Sequence, residues 1–186
     1  MASADAGSGR YVAAADHVMT ARDEMDRQPV IHDWYCRMML SQALTGARLA
    51  QDDLTQAGPE AERFLALTLA TAERTWQALA WEANARVAMA RGDHHRARTC
   101  IESAASAMEG FEVPLAAWRV HASAAELEKR LGNSRAAGHH RSLSRATVLS
   151  LANSLVDHDP LRETFLAAPL VRAIIDPGRR TRDLSR

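Results

Sequence analysis

The stretch GDHHRARTCIESA, Gly92 to Ala104, carries an acid, two adjacent histidines, arginines, a cysteine and a serine. Taken alone it resembles a reactive cluster. Slid along the chain, it finds partners. Gly9–Ala21 reads GRYVAAADHVMTA and Gly132–Ser144 reads GNSRAAGHHRSLS. The first position is glycine in all three, and the sixth is alanine: Ala14, Ala97 and Ala137. The tenth is Val18, Ile101 and Arg141; the thirteenth is Ala21, Ala104 and Ser144. The shared residues are thus the unreactive ones. Glycine at the first position ends one helix in a left-handed conformation. A small residue then allows close crossing of the next helix with its partner. A larger apolar residue follows a turn later, and another small one after that.

A further copy lies between the first two, and two registers compete for it. Asp52–Phe64 keeps a 40-residue step to Gly92 and puts Ala57 in the sixth column. Sliding four residues on places Ala61, Leu65 and Thr68 in the three key columns. The second register is preferred because it sets Pro59 at a helix start, where its missing N–H costs nothing.

Helical periodicity runs through the rest. Trp76, Ala80, Ala83 and Val87 share one face, as do Val120, Ala124, Leu127 and Leu131. Strictly alternating β-branched runs are absent. Alanine makes up about a fifth of the 186 residues and favours helix. Breakers at Pro29, Gly58-Pro59, Gly92, Gly110–Pro114, Gly132, Pro160, Pro169 and Pro177-Gly178 divide the chain. The spacing predicts helices over 10–27, 31–50, 59–73, 75–91, 94–109, 115–131 and 134–155, with short ones at 160–167 and 169–175. Short connections make neighbours antiparallel. The expected fold is all-α: antiparallel helix pairs, each completing its core by stacking on the next.

Residues Gly92, Ala97, Ile101 and Ala104, and still more Gly9, Tyr11, Ala14, Val18 and Ala21, resemble the second half of a tetratricopeptide (TPR) repeat. Gly132 and Ala137 continue the pattern, whereas Arg141 departs from it. The tail LANSLVDHDPLRETFLAAPLVRAI, Leu151–Ile174, is similar to endings that close the TPR region of large bacterial multidomain regulators. The resemblance implies a short right-handed solenoid of about three repeats over residues 9–155, with C-terminal capping helices over 156–176. Residues 1–8 and 177–186 are expected to be flexible, the latter basic. It further implies a non-enzymatic module that binds a protein or peptide. The alternative is a small-molecule or peptide sensor whose helical groove binds the ligand. The chain lacks GxxxxGK[ST], and its single lysine is Lys129, so ATPase activity is not carried over.

In such arrays the first helix of each pair lines the concave surface. Trp34, Trp76, Trp81 and Trp118 lie on those helices. The expected partner-binding residues are Trp34, Arg37, Trp81, Arg86, Trp118 and Arg119, with Trp81 foremost because it lies off the Trp76–Val87 face. The first copy has no room ahead of it for its partner helix. Either residues 10–27 form a terminal cap, or the chain starts mid-array and Val12, Ala15, Val18 and Met19 form an exposed apolar face suited to a partner chain or self-association.

Reactive chemistry finds little support. His94 and His95 point about 100° apart on a helix and cannot easily share a metal. An inter-helix site joining His121 or His140 to another histidine is the one arrangement left open. No metal and no cofactor are expected. Cys36 and Cys100 read as small buried hydrophobes in a reducing compartment. Asp52-Asp53 and Asp157/Asp159 read as helix caps. Net charge is zero, with eight Arg against twelve acids up to residue 90 and the balance reversed beyond it. Neither a nucleic-acid nor a membrane surface is indicated; Arg179, Arg180, Arg182 and Arg186 lack accompanying aromatics. The N-terminal sequence has no signal-peptide pattern, and a cytoplasmic location is expected.

Overall fold

The computed structural model describes residues 10–29, 31–156 and 158–176. Gly9, Asp157, the two terminal segments and the terminal arginines lie outside them. The described residues form helices and no strands, and neighbouring helices pack against each other. The chain divides into two compact units between Val113 and Pro114. The first holds α1 (Tyr11–Arg27), α2 (Asp33–Ala50), α3 (Leu54–Leu69), α4 (Arg74–Ala90) and α5 (His94–Met108). The second holds α6 (Pro114–Arg130), α7 (Ser134–Asn153), α8 (Asp159–Ala167) and α9 (Pro169–Ile175).

Three links of the same construction join α2 to α3, α4 to α5 and α6 to α7. Their central residues are Asp52, Gly92 and Gly132, with φ of 58°, 77° and 80°. In each, the next N–H reaches back to a helix carbonyl: Asp53 to Arg48 at 2.9 Å, Asp93 to Ala88 at 2.9 Å, Asn133 to Glu128 at 2.8 Å. This bond closes the helix C-terminus. The same residue starts the next helix. The Asp53 and Asp93 carboxylates accept from the Gln56 and Arg96 backbone N–H groups. Asn133 instead donates its amide to Glu128 at 2.6 Å. Ala57, Ala97 and Ala137 follow four residues later, each fully buried and each bonded through N–H to the capping residue's carbonyl.

These turns overturn the preferred register of the second copy. The copy begins at Asp52 and α3 at Leu54, five residues before the expected start. Asp52 adopts the left-handed conformation that glycine fills elsewhere, as aspartate tolerates better than most residues. Pro59 therefore sits inside α3, on its exposed face. The Thr55 carbonyl it leaves unbonded is on an exposed residue, where water can serve it. Gly58 is buried, and a methyl group there would overlap the Arg91 guanidinium.

The repeat columns hold unevenly. Position thirteen is buried as Phe64, Ala104 and Ser144, while Ala21 is half-buried. Position ten is buried as Val18 and Ala61, but Ile101 is half-exposed and Arg141 exposed. On α5 the buried line runs Ala97, Cys100, Ala104, so the thiol takes the place expected of Ile101. Cys36, expected buried, is exposed. On α1, Ala14, Ala15 and Val18 are buried against Leu44 and Ala47 of α2. The expected exposed apolar face thus reduces to Val12 and Met19, because α2 covers the rest.

In the first unit α2 packs on α1, α3 and α4, and α4 on α3 and α5. Helix α4 is buried on most sides. Alanine-rich helices bury little area each, and polar ties supplement the contacts. Arg22 of α1 forms a two-pronged pair with Glu60 of α3, one bond at 2.7 Å, and donates to Ser41 of α2 at 2.5 Å. The Arg22 and Glu60 side chains are only 14% and 10% exposed. Asn84 of α4 donates to the Ala61 carbonyl of α3 at 2.9 Å. In the second unit Trp118 of α6, Val148 of α7 and Val171 of α9 form the core, flanked by Phe165 and Leu166 of α8.

Space is open around Gly92, so Gly92→Ala tests backbone conformation alone. It should lower unfolding free energy by about 1–2 kcal/mol, whereas Asp52→Gly should raise it by up to about 1 kcal/mol, read from denaturant midpoints. Arg22→Ala leaves Glu60 buried without its partner and should cost about 2–3 kcal/mol. The double replacement Arg22→Met, Glu60→Leu should recover most of that loss in the same measurement.

Candidate partner-binding surface

The six expected surface residues separate into three groups. Trp34 stands in the first turn of α2, 44% exposed. Arg37, one turn on, holds Asp26 of α1 at 2.7 Å and lies 3.7 Å from Asp33. Trp34 remains at the surface, and Arg37 is half-buried beside it. Trp81 and Arg86 of α4 are half-buried, with Arg86 reaching Glu82 at 3.9 Å. Trp118 is only 6% exposed and belongs to the core of the second unit, which corrects its placement on a binding surface. The physical reason is α9: Val171 packs with Val148 against the Trp118 ring, a contact between distant segments that helical periodicity does not contain. Arg119 lays its guanidinium 4.6 Å from the centre of that same ring.

The structure assembles a different aromatic group, from residues of α2, α3 and α4. Trp34 meets Tyr35 edge-on, with ring centres 5.8 Å apart. Tyr35 meets Trp76 of α4 at 5.6 Å, and Trp76 meets Phe64 of α3 at 6.1 Å. All three contacts are near-perpendicular, the arrangement that ring quadrupoles favour. The row runs from Phe64, fully buried, to Tyr35 and Trp34, both more than two-fifths exposed. The buried end holds the exposed end in place. At the start of α4, Arg74 lies 5.2 Å from the centre of the exposed Phe111 ring. Tyr35, not singled out by any motif, is therefore the neighbour of Trp34, Trp76 lies against Tyr35 in turn, and Trp81 has no part in this row. Their adjacency depends on α2 crossing α4, which no local pattern signals.

The histidine doublets also separate. His95 is exposed and His94 half-buried at the start of α5. His121 of α6 and His140 of α7 meet, with Nδ1 atoms 3.2 Å apart and rings stacked at 5.4 Å. This is the inter-helix pair the sequence left open. His139 stands 5.6 Å from His140. Among the described residues no three His, Cys, Asp or Glu side chains are grouped to hold a metal ion. Burial pushes the Cys100 thiol above its usual pKa, against a smaller opposing effect of Arg96, so the nucleophilic thiolate is disfavoured. Asp53 is a capping residue as expected, its pKa lowered chiefly by the Thr55 hydroxyl.

One surface depression of about 650 Å³ is lined by Asn133, Ser134, Arg135, Ala136 and His139, all at the start of α7. A pocket of about 70 Å³ between α3, α4 and α5 is lined by Glu62, Asn84, Arg91 and Arg96 among others. Trp81 lines neither. No helix among the described residues is long and apolar enough to cross a membrane. No protein-family model, curated protein or solved structure matches the chain.

The two exposures imply opposite responses to truncation. Trp118→Ala should lower unfolding free energy by about 3–5 kcal/mol. Trp34→Ala should change it by less than about 1 kcal/mol. Thermal or chemical denaturation of the two variants beside the parent checks both.

Proposed function

We propose that the chain is a non-enzymatic, TPR-like helical module that binds a protein or peptide through the surface around Trp34 and Tyr35. The observation that carries this reading is the aromatic row. Tyr35 rests on the Trp76 ring and Trp34 lies edge-on against Tyr35, so the two exposed rings have less side-chain freedom to lose on binding. Arg37 adds a cation one turn away, already oriented by Asp26.

The TPR-like assignment draws support from the turn repeated at Asp52, Gly92 and Gly132, and from the alanine column four residues after each cap. Helix α2 touching both α3 and α4 is what stacking of successive pairs requires. A place within a bacterial regulator rests on the resemblance of Leu151–Ile174, and a cytoplasmic setting on the sequence reading. The alternative, a small-ligand sensor, calls for an enclosed cavity lined by Trp81 and arginines. Neither depression described above includes Trp81.

Selection from a displayed random-peptide library on the intact chain tests the proposal. Selected peptides should lose about tenfold or more in affinity against Trp34→Ala or Tyr35→Ala. Peptides that bind those variants as tightly as the parent place the binding elsewhere. A selection that enriches nothing counts against a peptide-binding module.

A further inference from the structure

The seam between α6 and α7 is a ladder of paired contacts. At one rung the Asn133 amide donates to the Glu128 carboxylate at 2.6 Å. At another, Ser144 donates its hydroxyl to the Trp118 carbonyl at 2.8 Å, both residues buried. Between these lie His121 and His140, both half-buried, with Nδ1 facing Nδ1 at 3.2 Å. At that distance one nitrogen must carry a hydrogen and the other must offer its lone pair.

Proton placement then follows from the chemistry of imidazole. In the neutral pair, one ring donates from Nδ1–H and keeps a bare Nε2. The other accepts at Nδ1 and carries its hydrogen on Nε2. A first added proton goes to the bare Nε2. The Nδ1 bridge survives and becomes charge-assisted. A second proton has only the accepting Nδ1 left. It removes the bridge and sets two cations against each other within a half-buried seam.

We propose that His121 and His140 form a proton-operated latch in the α6–α7 seam, closed with up to one added proton and opened by the second. The buried Ser144–Trp118 bond and the turn bond Asn133–Glu128 flank the pair on either side, so its breaking falls on the stretch of seam between them. The surrounding charges oppose one another. His139 on α7 acts against protonation of both rings, and Glu128 on α6 favours protonation of His140. Helices α8 and α9 carry Asp159, Arg162, Glu163 and Arg172, none of which is among the charges shifting either ring.

Burial first, and neighbouring histidines second, hold both rings below the usual 6.5. The unfolded chain therefore takes up protons before the folded one. The histidine pair's contribution to stability is whole above pH 6.5 and declines as pH falls through the lowered values, the bridge itself parting at the second proton. Each unit of lowering is a tenfold change in the folding equilibrium.

Ring-nitrogen NMR of the intact chain, titrated downward from neutral pH, reads the latch directly. The two rings should titrate together in two steps below 6.5, with α6 and α7 amide signals moving in the second step. In His121→Phe, His140 should titrate in a single step, still held below 6.5 by burial and His139, and the fall of the unfolding temperature with acidification should become shallower. Two rings titrating independently near 6.5 would overturn the proposal. So would an unchanged stability profile in His121→Phe. If that variant does not fold, His140→Gln serves for the stability arm, and the parent titration decides on its own.

Discussion

A left-handed residue between two helices, recurring every 40 residues, is the constraint on which the rest depends. At Asp52, Gly92 and Gly132 the chain ends a helix, bonds back to it and starts the next within three residues. Such a link leaves no freedom over where the following helix begins. The cap at Asp53, Asp93 or Asn133 then sets the buried alanine four residues on. Alanine at that place lets two helices approach closely along a face with few large side chains.

Close approach alone does not select one arrangement. Alanine faces are smooth, and one rotation of a helix buries nearly as much as another. Directional bonds remove that degeneracy. Arg22 reaches two other helices at once, through Ser41 and Glu60. Asn84 binds a carbonyl of α3 from the middle of α4, and Ser144 binds the carbonyl of Trp118. Each is satisfied only at one register, so each converts a permissive apolar contact into a specific one. The His121–His140 contact belongs to this set, with the added property that its bond depends on proton count.

The aromatic row has the same logic applied outward. Phe64 is fixed by burial, Trp76 by Phe64, Tyr35 by Trp76, and Trp34 by Tyr35. A surface tryptophan on an isolated helix would sample several rotamers. Here its partners derive their order from the core.

The sequence by itself determined the helices, because periodicity and glycine are local signals: α1, α2 and α4–α9 begin and end within two residues of their expected limits. It also determined the left-handed turns at Gly92 and Gly132 and the alanine column that follows them. Pro59 was misleading because a proline's preference for helix starts is weaker than the combined hold of the Asp52 turn and the Asp53 cap. Contacts between residues far apart in the chain were fixed only by folding. Trp118 is interior because Val171 folds onto it, and Trp76 rather than Trp81 supports Tyr35 because α2 crosses α4 at that point. The His121–His140 pair likewise exists only once α7 lies along α6. Burial is a property of what covers a face, and a helix's own pattern shows that a face is apolar without showing which neighbour arrives to cover it.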